Sequence, residues 1–161
     1  MVKKITTTFL EKYGEAPYVF RSPGRVNILG EHTDYNEGFV LPAAIDKNIY
    51  IAVSKRTDDI INLYASDFDE SFTADIKNIT PSNIQWPNYI LGVVDQLQKK
   101  GFTLSGFNAV LDGDVPIGAG LSSSAAVECA TIYALNDIFT LGRSITNGSS
   151  CPKSRACIRR R

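Results

Sequence analysis

Residues 107–139 run from an apolar segment through a glycine- and serine-rich turn directly into an apolar helical pattern, and no other stretch restricts the fold as strongly. Phe107, Ala109 and Leu111 alternate with positions expected to be more exposed, which predicts a strand. Asp114-Val115-Pro116-Ile117-Gly118-Ala119-Gly120-Leu121 follows. Pro116 sets the approach to the turn, while Gly118 and Gly120 let the backbone bend and come close to another group. From Ser122 to Phe139, Ala125, Ala126, Cys129, Ala130, Tyr133 and Ile138 fall on or beside one face, the spacing of a helix. A helix that starts here gathers unpaired N–H groups, the positive end of its dipole and the hydroxyls of Ser122, Ser123 and Ser124 into one small volume. That is an anion site, with phosphate its natural ligand. The same residues also fit an ordinary helix cap after a glycine turn. The common P-loop is excluded, because no Gly-Lys-Ser/Thr follows the glycines and no lysine lies between Lys100 and Lys153.

The remaining chain predicts a sheet with flanking helices. Ile5, Phe9, Leu10 and Tyr13 have helical spacing and Gly14 closes it. Residues 16–20 read as extended, Arg21-Ser22-Pro23-Gly24 as a turn, and Val26, Ile28 and Leu29 lead into the polar stretch 30–38. Residues 39–45, 48–54 and 60–65 are β-rich runs, expected to form an antiparallel sheet. Trp86-Pro87-Asn88 opens a helix with Tyr89, Ile90, Val93, Val94 and Leu97 on one face; Lys99 and Lys100 favour its C-terminal end and Gly101 stops it.

The chain has 161 residues, 43% of them hydrophobic, enough for one real core and too few for two full domains. Its formal charge of zero conceals an asymmetry. Residues 1–141 hold all 17 acidic side chains and 11 of the 17 basic ones, whereas 142–161 hold the other six basic residues and no acid. An acidic body argues against nucleic acid as a partner. No apolar run has transmembrane length and residues 1–8 lack the apolar core of a signal peptide, so no membrane association and a cytoplasmic location are expected. Cys129 reads as a small core residue, and the spacing of Cys151 and Cys157 fits no zinc pattern.

A second polar cluster precedes the β runs. Glu31, His32, Thr33 and Asp34 are consecutive, with Arg25 upstream and Gly24, Gly30 and Gly38 around them. Two carboxylates, an imidazole and a hydroxyl at such close spacing suit the vicinal hydroxyls of a sugar. Metal ligation is a weaker reading, since His32 is the only histidine and no partner cluster exists. A simple turn with a structural histidine accounts for the same residues.

Taken together the two clusters resemble a family. Ser22-Pro23-Gly24-Arg25-Val26-Asn27-Ile28-Leu29-Gly30-Glu31-His32-Thr33-Asp34-Tyr35-Asn36 resembles the galactokinase signature, and Pro116 to Ser124 resemble the phosphate-binding motif of the wider GHMP kinases. The resemblance covers roughly residues 5–141 and implies an α/β fold, an α+β sandwich of the GHMP-kinase N-terminal type with a ribosomal-protein-like left-handed βαβ unit. It implies ATP and Mg²⁺ as cofactors and galactose as the substrate, phosphorylated at its 1-hydroxyl; it names no protein partner. Glu31, His32 and Asp34, with Thr33 in the same segment, match sugar-binding positions. Arg25 matches the arginine that stabilises the transferring phosphoryl group. Gly118, Ala119, Gly120, Leu121, Ser122, Ser123 and Ser124 match the ATP loop, with Ser124 the hydroxyl that reaches Mg²⁺. Ser66 is a weaker match to a nucleotide contact, and Trp86 fits beside the adenine or as a helix-start core residue.

The family draws its catalytic aspartate and a second Mg²⁺-binding carboxylate from segments further along, and no acidic residue follows Asp137. No residue here matches the general base. The expectation is therefore an incomplete kinase domain over 1–141, inactive alone, with 142–161 a disordered or frame-shifted tail. A non-catalytic galactose- or ATP-binding regulator, or another small-molecule GHMP kinase, are the alternatives.

Overall fold

The computed structural model of the chain describes residues 1–30, 39–116, 121–142 and 158–160. In chain order the elements are α1 (Val2–Tyr13), β1 (Tyr18–Leu29), β2 (Leu41–Lys55), β3 (Ile60–Ala65), β4 (Glu70–Asp75), α2 (Gln85–Lys99), β5 (Phe107–Gly113), α3 (Ser123–Ile138) and β6 (Ile158–Arg160). They form one mixed sheet in the order β4-β3-β5-β2-β1-β6.

The two faces of that sheet follow from the two-residue period of a strand. Ile51, Val53, Leu63, Ala109 and Leu111 face one way, into a large apolar cluster with Ile90 and Val94 of α2 and Ala126, Ala130, Ala134 and Leu135 of α3. Ala52, Tyr64 and Val110 face the other way, against Ile5 and Phe9 of α1. Each large side chain buried here is worth roughly 1.5–3 kcal/mol of hydrophobic stabilisation. Gly14 ends α1 in the left-handed region (φ 72), its N–H returning to the Leu10 carbonyl, as its position predicts. At the start of α2, Asn88 Nδ2 donates to the carbonyls of Ser82 and Ile84 while its Oδ1 accepts from Ser82 N–H, so the side chain ties down the incoming loop. Pro87 falls in the first turn, where a missing N–H costs nothing.

Several expectations change. Arg21 to Gly24 are not a turn but the middle of β1. Proline is tolerated because the register breaks between Pro23 and Arg25, which pair with Asn48 and Ala44, so an irregularity absorbs the lost donor. The runs 39–45 and 48–54 join into the single long strand β2. It does not pair with β3, because β5 lies between them and runs parallel to β3. Helices cover both faces of β5, so Phe107 to Asp112 are buried without alternation. Leu10 is exposed, since α1 crosses the sheet on a narrow stripe led by Ile5 and Phe9. Cys129 is buried as expected, and it is disulfide-bonded. From the basic tail, Ile158–Arg160 pair antiparallel with Val19 to Arg21, adding a strand at the sheet edge.

Candidate functional site

β5 delivers the chain to the glycine-serine turn at a pinned position. Asp114 and Asn48 grip each other, with Asp114 Oδ1 accepting from Asn48 N–H at 2.6 Å and Asp114 N–H donating to the Asn48 carbonyl at 3.1 Å. Past the turn, Ser122 is the N-cap of α3 in the left-handed region (φ 54), and no side chain caps the helix. The first-turn amides of α3 are thus not taken by a capping side chain.

A cavity of about 610 Å³ opens beside this helix start. Ser123, Ser124 and Val127 of α3 line one side, and Ile49, Leu111, Asp112 and Val115 come from β2 and β5 and the segment after it. Gln85, Trp86 and Tyr89 of α2 and Ala65, Asp67, Phe68 and Glu70 around the β3–β4 turn complete the lining. The cavity therefore combines aromatic side chains with hydroxyls at a helix N-terminus. Ser66, between two lining residues, donates its N–H to the Leu111 carbonyl, and its buried Oγ has no hydrogen-bond partner. Trp86 Nε1 donates to Glu70 Oε2 at 2.8 Å, and Gln85 Nε2 lies 3.2 Å from the Tyr89 hydroxyl. Lys4 of α1 pairs with the buried Asp112 at 2.8 Å, and donating to that carboxylate raises the lysine above its ordinary pKa. Burial, then the Asp112 charge, raises Asp67.

Arg25 sits in β1 opposite Ala44, and its N–H donates to the Leu121 carbonyl at 3.1 Å. β1 and the residue leading into α3 are joined at that point. Gly24 is needed there, since a Cβ would stand 3.0 Å from both Leu121 O and Ile45 Cδ1. Arg25 does not line the cavity, whereas Ser123 and Ser124 do and Leu121 and Ser122 lead into them. Glu31, His32, Thr33 and Asp34, and Gly118, Ala119 and Gly120, lie outside the described residues. Sequence reasoning missed Phe68, Glu70, Gln85 and Asp112 and treated Tyr89 as core. Trp86 and Tyr89 at i and i+3 on the first turns of α2 were the available signal.

A family model described as the galactokinase galactose-binding signature matches residues 7–55, and one described as the GHMP kinases N terminal domain matches residues 88–149. A galactokinase from Roseiflexus sp. (strain RS-1) is 48% identical over 141 residues, 85% of this chain and 36% of that protein. The chain belongs to the galactokinase family. It corresponds to the amino-terminal portion, spanning little more than a third of that relative's length. The Lactococcus lactis galactokinase in complex with galactose superimposes with a TM-score of 0.83 at 33% identity, over 89% of this chain and 38% of the other. The Methanococcus jannaschii mevalonate kinase follows at a TM-score of 0.63 and 25% identity, over 77% and 41% of the two chains. The architecture is that of a GHMP kinase N-terminal domain, as the two sequence motifs imply. Among the described residues, no helix is long and apolar enough to cross a membrane.

Proposed function

We propose that this segment is the sugar- and nucleotide-binding part of a kinase that phosphorylates D-galactose at its 1-hydroxyl with ATP. The cavity carries the reading: its aromatic side chains Trp86, Tyr89 and Phe68 suit a nucleobase, and Ser123 and Ser124 at the start of α3 suit the phosphates. The buried, unpartnered Oγ of Ser66, between the lining residues Ala65 and Asp67, agrees with a polar nucleoside group nearby. ATP, when bound, supplies the transferable phosphoryl group. The Ser124 hydroxyl would be the protein group that holds a Mg²⁺ brought in with the phosphates, where the ion would offset their charge. Galactose is assigned from the signature over 7–55 and the Lactococcus lactis relative, and falls to Glu31, His32, Thr33 and Asp34.

In this scheme Arg25 faces the transferring group between sugar and nucleotide, where a guanidinium offsets developing charge. The 161-residue chain binds without turning over, because none of its side chains matches the family's general base. Calorimetric titration with MgATP and with galactose, using D-mannose as the control sugar, tests binding, and an ADP-coupled assay tests transfer. Saturable binding of both ligands with no ADP release is expected. Failure to bind either ligand refutes the reading, and turnover at an ordinary kinase rate refutes the inactivity.

A further inference from the structure

Trp86 and Tyr89 stand on α2, which reaches the cavity from a helix of its own, while Glu70 belongs to the β3–β4 hairpin on the far edge of the sheet. The bond from Trp86 Nε1 to Glu70 Oε2 (2.8 Å) therefore joins two separately anchored walls of one cavity. Glu70 itself is not free to wander. It pairs with Ala65 as the first residue of β4, and the turn before it is closed by Phe68 N–H on the Ala65 carbonyl and by the Tyr64 hydroxyl on Asp69 Oδ1 at 2.7 Å. Asp69 holds the left-handed conformation (φ 51) that this tight turn requires.

A tryptophan in a cavity mouth has two ways to serve a ligand: its N–H as a donor, or its face as a stacking surface. Here the N–H is spent on Glu70. What the indole still offers to a ligand in the cavity it lines is its ring surface, tethered by that bond. We infer that Glu70 is a positioning residue for nucleotide binding, which locks the Trp86 indole so that the ring stacks on the base. The inference rests on the nucleotide reading of the cavity and deepens it.

Trp86 is the only tryptophan in the chain, so its fluorescence reports on this wall alone. The experiment titrates MgATP into the wild-type chain, Glu70→Gln and Glu70→Ala, following Trp86 emission and measuring retained nucleotide by equilibrium dialysis. Glu70 is exposed, and far-UV circular dichroism checks that each variant folds. Wild type is expected to lose emission as the base stacks. Glu70→Gln keeps an acceptor and should bind nearly as tightly, while Glu70→Ala should bind about three- to tenfold more weakly, as expected for one lost orienting hydrogen bond. It should also show lower emission anisotropy before ligand is added. Nucleotide retained in dialysis with unchanged Trp86 emission, or Glu70→Ala binding as tightly as wild type, overturns the positioning role and leaves the nucleotide reading intact. No nucleotide retained by wild type removes both.

Discussion

The Arg25 N–H donates to the Leu121 carbonyl at 3.1 Å, so a strand in the sugar-signature half of the chain is bonded to the turn that opens α3 in the phosphate half. About a hundred residues of sequence separate the two. The bond makes the distance between the proposed phosphoryl-stabilising arginine and the helix start a property of the backbone, not of side-chain rotamers. Such preorganisation is what transfer between two bound ligands demands.

Gly24 protects that junction. Gly24→Ala puts a Cβ 3.0 Å from the Leu121 carbonyl oxygen and from Ile45 Cδ1, tighter than ordinary contact. Ile45 can move and the backbone carbonyl cannot move without breaking the Arg25 bond. Urea denaturation should show a loss of about 1–3 kcal/mol, in the range of an overpacked site. Adding Ile45→Ala should restore only part of it; full recovery would place the conflict at Ile45 alone.

Lys4 is the exposed partner of a buried carboxylate. Its side chain is 58% exposed whereas that of Asp112 is 1% exposed. Lys4→Met leaves the carboxylate buried without its cation, a loss discounted for the lysine's exposure to about 1–3 kcal/mol. The double variant Lys4→Met with Asp112→Asn should recover most of that in thermal unfolding. Equal losses from the single and double variants would mean that the uncompensated Asp112 charge is not what destabilises Lys4→Met.

Where side-chain pattern decided the structure, the sequence was readable. Gly14, Asn88 and Gly101 mark helix ends through chemistry local to a few residues, and α1, α2 and α3 emerge within a few residues of their expected bounds. The errors about strands come from how the strands pair in the sheet. Pro23 and Gly24 spell a turn until a register break on β2 absorbs them, and Phe107 to Asp112 look half-exposed until helices cover both faces. β3 meets β5 across a crossover of some forty residues, a pairing that local propensity does not encode. The site divides in the same way. Ser123 and Ser124 announce themselves by spacing, whereas Glu70 enters the cavity only because β4 is the hairpin partner of β3.

Acid should weaken the fold through Asp58. The Arg56 guanidinium, bonded through Nε and Nη2 to its two oxygens, holds the carboxyl at about 2, against an ordinary value of 3.8. Between these values the folded chain binds fewer protons than the unfolded one, so the contribution is complete above about pH 4 and disappears as pH falls toward 2. Urea midpoints measured from about pH 5 down to 2 should fall in that window for wild type. Asp58→Asn should flatten the fall, and an unchanged profile would assign the acid sensitivity to other carboxylates.

Ser124→Ala separates the two halves of the proposed site. Ser123 and Ser124 line the cavity, whereas the galactose signature belongs to the part of the chain that holds β1, bonded to the α3 start through Arg25 N–H and the Leu121 carbonyl. Removing one hydroxyl from the helix start takes away a phosphate or Mg²⁺ contact without touching the core, since Ser124 is only partly buried. MgATP affinity should fall about three- to tenfold, the cost of one hydrogen bond to a charged group, and the fall should shrink when Mg²⁺ is replaced by EDTA. Galactose affinity should not change. A parallel loss of galactose binding would show that the serines act on both ligands, through the junction rather than through the nucleotide.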